Sequence, residues 1–188
     1  ERKLYVFNCG HAATAYLGYH KNLPTIYDAL NDKAIYDDVV STMRESALMM
    51  TKKFPFTMEE LETFIQKILK RISLKDLHDE VVRVGRSPIR KLGRKDRLIG
   101  PAVLAQEYGL ANDHLAKAIA AGYLFDYAED EQAAEIQAFI KNNGIEKAIE
   151  KYKNLDEKRF YEEALTKESY IVDAYYMIAN NYYLLYED

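Results

Sequence analysis

Three polar side chains of complementary chemistry stand within nine residues at the start of the chain: Lys3, Asn8 and His11 in Lys3-Leu-Tyr-Val-Phe-Asn8-Cys-Gly-His11. On an α-helix, 100° per residue places Asn8 about 140° and His11 about 80° around from Lys3, so all three fit one broad face and can converge on one small ligand. The types suit carbonyl reduction and its reverse. A lysine of free pKa about 10.4 exchanges protons near neutrality only when lowered toward roughly 7–8, and burial and neighbouring positive charge both act that way. Asn8 can donate to an alkoxide or carbonyl oxygen, and His11 to the same oxygen or a neighbouring hydroxyl. Residue types and spacing alone are met more simply by a surface lysine, a capping asparagine and a partly buried histidine.

A second constellation runs from Arg83 to Arg97, with seven basic residues and one acid in fifteen positions. Such density, broken by glycine and proline, suits a phosphate: arginine binds its oxygens bidentately, and the helix start at Ser87-Pro88 offers amide donors. A solvated basic face accounts for the same stretch. Nucleic acid fits poorly, because no aromatic residue is interleaved for stacking and the chain's net charge is −4.

The elements that must position these groups read as helices. Thr57-Met-Glu-Glu60 is a capping box. Behind it Leu61, Phe64, Ile65, Ile68, Leu69 and Ile72 form one apolar stripe. A further helix is expected from about Lys33 to Lys53, and another from Asn112-Asp113 through Leu115, Ile119 and Leu124. Ser87-Pro88 reads as an N-cap with proline at the first helical position. Gly85, Gly93 and Gly100-Pro101 keep the helices of that region short. Ile171, Tyr175, Ile178, Tyr182 and Leu185 mark a terminal helix whose tyrosine-rich surface reads as core and docking face. Strand signals are confined to Lys3–Phe7, which could be read either way. The fold class expected is all-α.

Composition agrees with one globular domain over 188 residues, with 48% hydrophobic and 30% charged residues. No apolar run approaches the roughly 18 residues that span a bilayer, so no membrane partner is expected. A single cysteine, Cys9, fits a reducing, cytoplasmic setting. No histidine–carboxylate spacing suggests a metal site. His78-Asp79 reads as an exposed helix end, with an orienting pair as the alternative, and His20 and His114 as surface residues. Neither a Gly-x-Gly-x-x-Gly turn nor a phosphate loop occurs, so this chain offers no cofactor-binding residues of its own.

Taken in order, the two constellations resemble the polyol-specific long-chain dehydrogenases, most closely their mannitol-1-phosphate 5-dehydrogenase branch. In that family a Lys-x-x-x-x-Asn-x-x-His pattern opens the helical C-terminal domain. Here Ala12-Ala-Thr-Ala-Tyr-Leu-Gly-Tyr19 is similar to its first helix. His78 through Leu92 and Asp96-Arg-Leu-Ile-Gly-Pro101 are similar to the sugar-phosphate branch. The likeness covers residues 1–127, a motif-bearing core, with terminal helices over 128–188.

Position by position, the resemblance implies Lys3 as general acid/base, with Asn8 and His11 polarising the reacting oxygen. The implied reaction is reversible hydride transfer between NAD and mannitol 1-phosphate, giving fructose 6-phosphate. The density of charge assigns the phosphate to some of Arg83, Arg86, Arg90, Lys91 and Arg94. The family pairs this domain with an N-terminal Rossmann-like domain that holds the nicotinamide. With Glu1-Arg2-Lys3 as its opening, the chain reads as a fragment that folds but does not catalyse alone. The alternatives are the same fold acting on mannitol, fructose or hexuronates, or a non-catalytic helical module that binds anions.

Overall fold

In the computed structural model, which describes residues 1–153, the chain is helical throughout. A π-helical turn, Lys3–Asn8, runs directly into α1, Cys9–His20; then follow α2 Ile26–Asn31, α3 Lys33–Lys53, α4 Met58–Ile72 and a 3-10 turn at Lys75–Leu77. The second half holds α5 Val81–Gly85, α6 Pro88–Lys91, α7 Ile99–Glu107, α8 Asp113–Tyr123, α9 Glu131–Asn143 and α10 Ile145–Lys153. Extended pairing among the described residues is limited to one isolated antiparallel bridge between Thr25 and Glu80. The expected all-α class is what is observed. The tyrosine-rich stretch at 171–185 lies outside the described residues.

Local chemistry explains several boundaries. The Thr57 hydroxyl accepts from Glu60 N–H while the Glu60 carboxylate accepts from Thr57 N–H at 2.8 Å, completing the capping box of α4. Leu61, Ile65, Ile68, Leu69 and Ile72 are buried, and Phe64 lies half-buried at the edge under the Arg2 guanidinium. Helix α3 occupies the expected span. Helix α8 begins where expected, and its cap comes from another helix. Asn112 sends its side-chain amide to Ala102 O and Gln106 Oε1. The free amides of His114 and Leu115 are instead taken by the two carboxylate oxygens of Glu45, at 3.1 and 2.8 Å. A cap supplied from α3 satisfies orphan donors as a local one would.

Helix α1 sits at the centre. From Cys9 to Gly18 every residue except His11 is buried, and α2, α3, α5 and α8 all pack on it. A helix covered on all sides has no polar face; small residues at Gly10, Ala12, Ala13, Ala15 and Gly18 admit its neighbours. The π turn that precedes it is held from outside: the Ser46 hydroxyl on α3 donates to Tyr5 O. The Tyr16 hydroxyl donates to Gly85 O at 3.0 Å, tying the end of α5 to α1. The α2 entry is bound to the segment before α5 by Ile26 N–H to Asp79 O and Val81 N–H to Pro24 O, at 2.8 and 3.0 Å. Later helices dock outward, α9 on α6 and α10 on α9, with the Gln137 amide donating to Tyr123 O and Phe125 O.

A close approach against an unyielding neighbour is at Gly18, where a Cβ would lie 2.8 Å from Ala29 Cβ and 3.2 Å from Val81 Cγ1. Ala29 is fully buried and has no flexible end to move. Gly18→Val is therefore expected to force α2 and the start of α5 away from α1, at a cost of about 1–3 kcal/mol. That corresponds to a fall in Tm of roughly 2–12 °C, measurable by far-UV circular dichroism; an unchanged Tm would contradict the packing described.

Candidate functional site

At the N-terminal end of α1 a small open cavity of about 250 Å³ is lined by Asn8, His11, Ala12, Arg83, Val84, Arg90, Lys91 and Arg97. Its size lies below the roughly 300–1,000 Å³ of pockets that enclose drug-sized ligands, and suits part of a small polar molecule. The two sequence constellations, separated by some seventy residues, thus meet at one place. Asn8 and His11 come from the π turn and first turn of α1, Arg83 from α5, Arg90 and Lys91 from α6.

Not every expected residue reaches the wall. Lys3 is exposed at the start of the π turn and is not among the lining residues. The π winding, with its i→i+5 bonds, departs from the α-helical spacing by which the three residues were placed on one face. Arg86 and Arg94 also lie off the wall. Arg97, omitted from the sequence assignment, lines it with its Nε 2.6 Å from Asp96 Oδ1.

The helix start at Ser87-Pro88 differs from expectation as well. Ser87 holds a left-handed φ of 59° and makes no side-chain cap. Its amide donates to Asp130 Oδ2 at 2.9 Å, and Arg90 N–H to Gln132 Oε1 at 3.3 Å. Those donors serve the α6–α9 contact rather than standing free for an anion.

Lys91 is 6% exposed. Its Nζ donates to the carbonyl oxygens of Val84 and Arg86, which locks the α5–α6 corner around a buried cation. Burial foremost, then the nearby Arg97 and Arg90 charges, pull its pKa down to about 8, against the opposing Asp130 and Asp96 carboxylates. His11 is similarly held below the ordinary histidine value, chiefly by burial and also by Arg83 and Lys91, while Asp79 acts the other way.

Asp79 is the acidic member of the site. Its Oδ2 is 3.3 Å from His11 Nε2, and its Oδ1 pairs with the Arg83 guanidinium. The His11–Asp79 approach is an ion-pair distance without hydrogen-bond alignment, so the buried Nε2 has no aligned partner. The ring is further fixed by stacking on Phe7, centroids 5.6 Å apart. His78, beside it in sequence, is exposed in a left-handed conformation of φ 46°, so the orienting partner of Asp79 is His11 and not its neighbour. His20 and His114 are half-buried rather than on the open surface, and His114 Nδ1 lies 3.1 Å from Asp38 Oδ1. Cys9 is fully buried and burial raises its thiol pKa well above the ordinary range, which makes it core.

A larger groove of about 800 Å³ lies between Tyr19, Pro24, Glu80, Asp126 and Tyr127. It has no lysine or arginine on its wall and carries two carboxylates, the wrong sign for an anionic substrate. Chemistry therefore favours the smaller cavity. Among the described residues no group of three or more histidine, cysteine or acidic side chains is placed to hold a metal ion. No described helix is long and apolar enough to cross a membrane.

Comparison with known proteins gives consistent relatives. The family model for the mannitol dehydrogenase C-terminal domain matches residues 1–183. The chain is 46% identical over 157 residues to the mannitol-1-phosphate 5-dehydrogenase of Geobacillus stearothermophilus, covering 83% of this chain and 41% of that protein. It is 45% identical over 157 residues to that of Thermoanaerobacter pseudethanolicus, covering 84% and 40%. The chain therefore spans about two-fifths of the length of these relatives. Among solved structures, the Pseudomonas fluorescens mannitol 2-dehydrogenase ternary complex with NAD and D-mannitol superposes with a TM-score of 0.70 at 17% identity. That match covers 96% of this chain and 37% of the other, and it supports the fold.

The depressed pKa of Lys91 has a consequence for stability. Below about pH 8 both folded and unfolded chains hold its proton, and folding bears the whole cost of burying the charge. Between about 8 and the unfolded value near 10.4 the unfolded chain binds more protons, so stability contributed by this group rises with pH. In urea unfolding, the stability of wild type relative to Lys91→Met is expected to be flat from pH 6 to 7.5 and to climb from 8 to 10. A flat difference throughout would show that the ammonium is not desolvated.

Proposed function

The chain belongs to the mannitol dehydrogenase C-terminal domain family, and from that premise we propose that it is the substrate-binding and catalytic helical part of an NAD-dependent mannitol-1-phosphate 5-dehydrogenase. The reaction is interconversion of mannitol 1-phosphate and fructose 6-phosphate. What supports this reading is the meeting of Asn8 and His11 with Arg83, Arg90, Lys91 and Arg97 on one small cavity, together with relatives of that activity at 45–46% identity.

In this reading the polar pair and the cations divide the substrate between them. Asn8 and His11 hold the reacting oxygen, where a pre-placed donor stabilises developing negative charge. Arg83 and Arg90, at the wall, bind phosphate oxygens, since a guanidinium offers two parallel donors. Arg86, Arg94 and Lys91 add positive potential, Lys91 from beneath. Lys3 takes the carbinol proton on oxidation and returns it on reduction. It is exposed in this chain, and a second domain closing over that face would desolvate it, which is what lowers a lysine toward neutrality.

The described residues contain no strand–glycine turn–helix unit of the kind that cradles a dinucleotide. We assign NAD binding to an N-terminal Rossmann-like domain of the same polypeptide, with NAD supplying or accepting the hydride. This chain's part is to bind, orient and move the proton. The same arginines would welcome the carboxylate of a hexuronate, which makes hexuronate reduction the second reading.

The test is initial-rate NADH oxidation by the full-length polypeptide with fructose 6-phosphate, fructose and a hexuronate. Preference for the phosphate is expected. Arg90→Gln should lower kcat/KM for it by roughly 10- to 150-fold, the worth of a charged hydrogen bond, and Arg86→Gln by much less. Lys3→Met should lower kcat by about 10²–10⁴. Equal rates with fructose would remove the phosphate role, and preference for the hexuronate would install the second reading. The 188-residue chain alone is expected to show no turnover.

A further inference from the structure

We infer that Asp79 is a positioning residue of this site: its single carboxylate bridges the His11 imidazole and the Arg83 guanidinium, and so fixes both groups against the cavity wall. The inference rests on the proposed function for its catalytic consequence, but its geometry stands without it.

The Asp79 carboxylate has one oxygen on each partner, Oδ2 at 3.3 Å from His11 Nε2 and Oδ1 on the Arg83 guanidinium. Its side chain is 20% exposed, as is that of His11, so the pairing is screened less than a surface pair. The main chain under it is pinned independently of the side chain. Asp79 O accepts from Ile26 N–H, and the Thr25–Glu80 bridge and Val81 N–H to Pro24 O hold the two residues that follow it. The carboxylate is therefore delivered to α1 by the α2–α5 contact and not by a flexible loop.

A carboxylate 3.3 Å from one ring nitrogen draws the proton to that nitrogen by charge alone, without an aligned hydrogen bond. Asp79 therefore favours the Nε2–H form of His11, leaving Nδ1 as the acceptor of the neutral ring. The charged groups around His11 are Asp79 before α5, Arg83 on α5, and Lys91 on α6, with Arg90 and Arg97 across the cavity. Asp79 alone among those acting on His11 favours the protonated ring; Arg83 and Lys91 oppose it. The carboxylate also offsets part of the cationic charge between turnovers, and pairs Arg83, whose side chain is 58% exposed, at the edge of the wall.

The two partners make the test self-checking, because their removal should move His11 in opposite directions. Nitrogen-15 histidine NMR titration of the 188-residue chain reports each ring's tautomer and pKa. In Asp79→Asn the His11 titration should shift to lower pH and its Nε2–H preference should fall. In Arg83→Gln it should shift to higher pH with the tautomer retained. His20, His78 and His114 serve as internal controls for folding. In the full-length polypeptide Asp79→Asn should lower kcat/KM for fructose 6-phosphate by about 10- to 100-fold and move the pH profile in the same direction as the NMR titration.

A His11 tautomer and pKa unchanged in Asp79→Asn would overturn the inference, whatever the activity. A shifted His11 in a full-length protein that turns over no sugar phosphate would sustain the positioning role and overturn the proposed function instead. Turnover with an unmoved pH profile in Asp79→Asn would do the reverse.

Discussion

The burial of α1 on all sides is the constraint from which the rest of the described structure follows. A helix enclosed by four others must be made of small or apolar residues, and here glycine, alanine, Thr14, Tyr16 and Leu17 fill that role. Between Cys9 and Gly18 the one departure is His11, half-buried at the end that opens to solvent. Because the neighbours press close on small side chains, the direction in which that end points is fixed by packing. Thr14 satisfies its hydroxyl within the helix, donating to Gly10 O at 2.7 Å, and the buried Tyr16 hydroxyl finds its partner outside, at Gly85 O.

Around that end the structure gathers positive charge and restrains it. Four basic residues share a small wall, and in a site partly shielded from water such charges repel more strongly than on an open surface. The arrangement is held together by backbone oxygens under Lys91 and by Asp96 and Asp79 beside Arg97 and Arg83. Such a site favours an anion entering from solvent. Burial foremost, and the same repulsion after it, displace both Lys91 and His11 toward their neutral forms.

The sequence made some of this legible and left some hidden. The capping box and the α4 stripe were readable because their signals are local, carried by residues three or four positions apart. The span of α3 was readable for the same reason. The cap of α8 was not: its signal lies in Glu45, sixty-nine residues before the amide it serves. Ser87 failed as a cap because its backbone is left-handed and Gln132, forty-two residues on, holds the Arg90 amide that a cap would serve. His78-Asp79, read as an exposed helix end, gave no sign of the partner of Asp79, because the left-handed turn at His78 leaves that residue exposed while Asp79 faces His11.

For the site, composition and spacing alone fixed the chemistry on offer: a lysine, an amide and an imidazole at the start, and a dense basic stretch eighty residues on. They also settled the all-α class, because the apolar periods are helical nearly everywhere they are strong. Only the tertiary structure decided which of those residues meet. It brought Asn8 and His11 to Arg83, Arg90 and Lys91, added Arg97 and Asp79, and left Lys3, Arg86 and Arg94 off the wall. The physical reason is that a side chain's partners depend on how helices cross and how a π turn winds. Those are set by the close packing of Gly18, Ala29 and Val81 and by the bond from Ser46 to Tyr5 O, long-range contacts that no local pattern encodes.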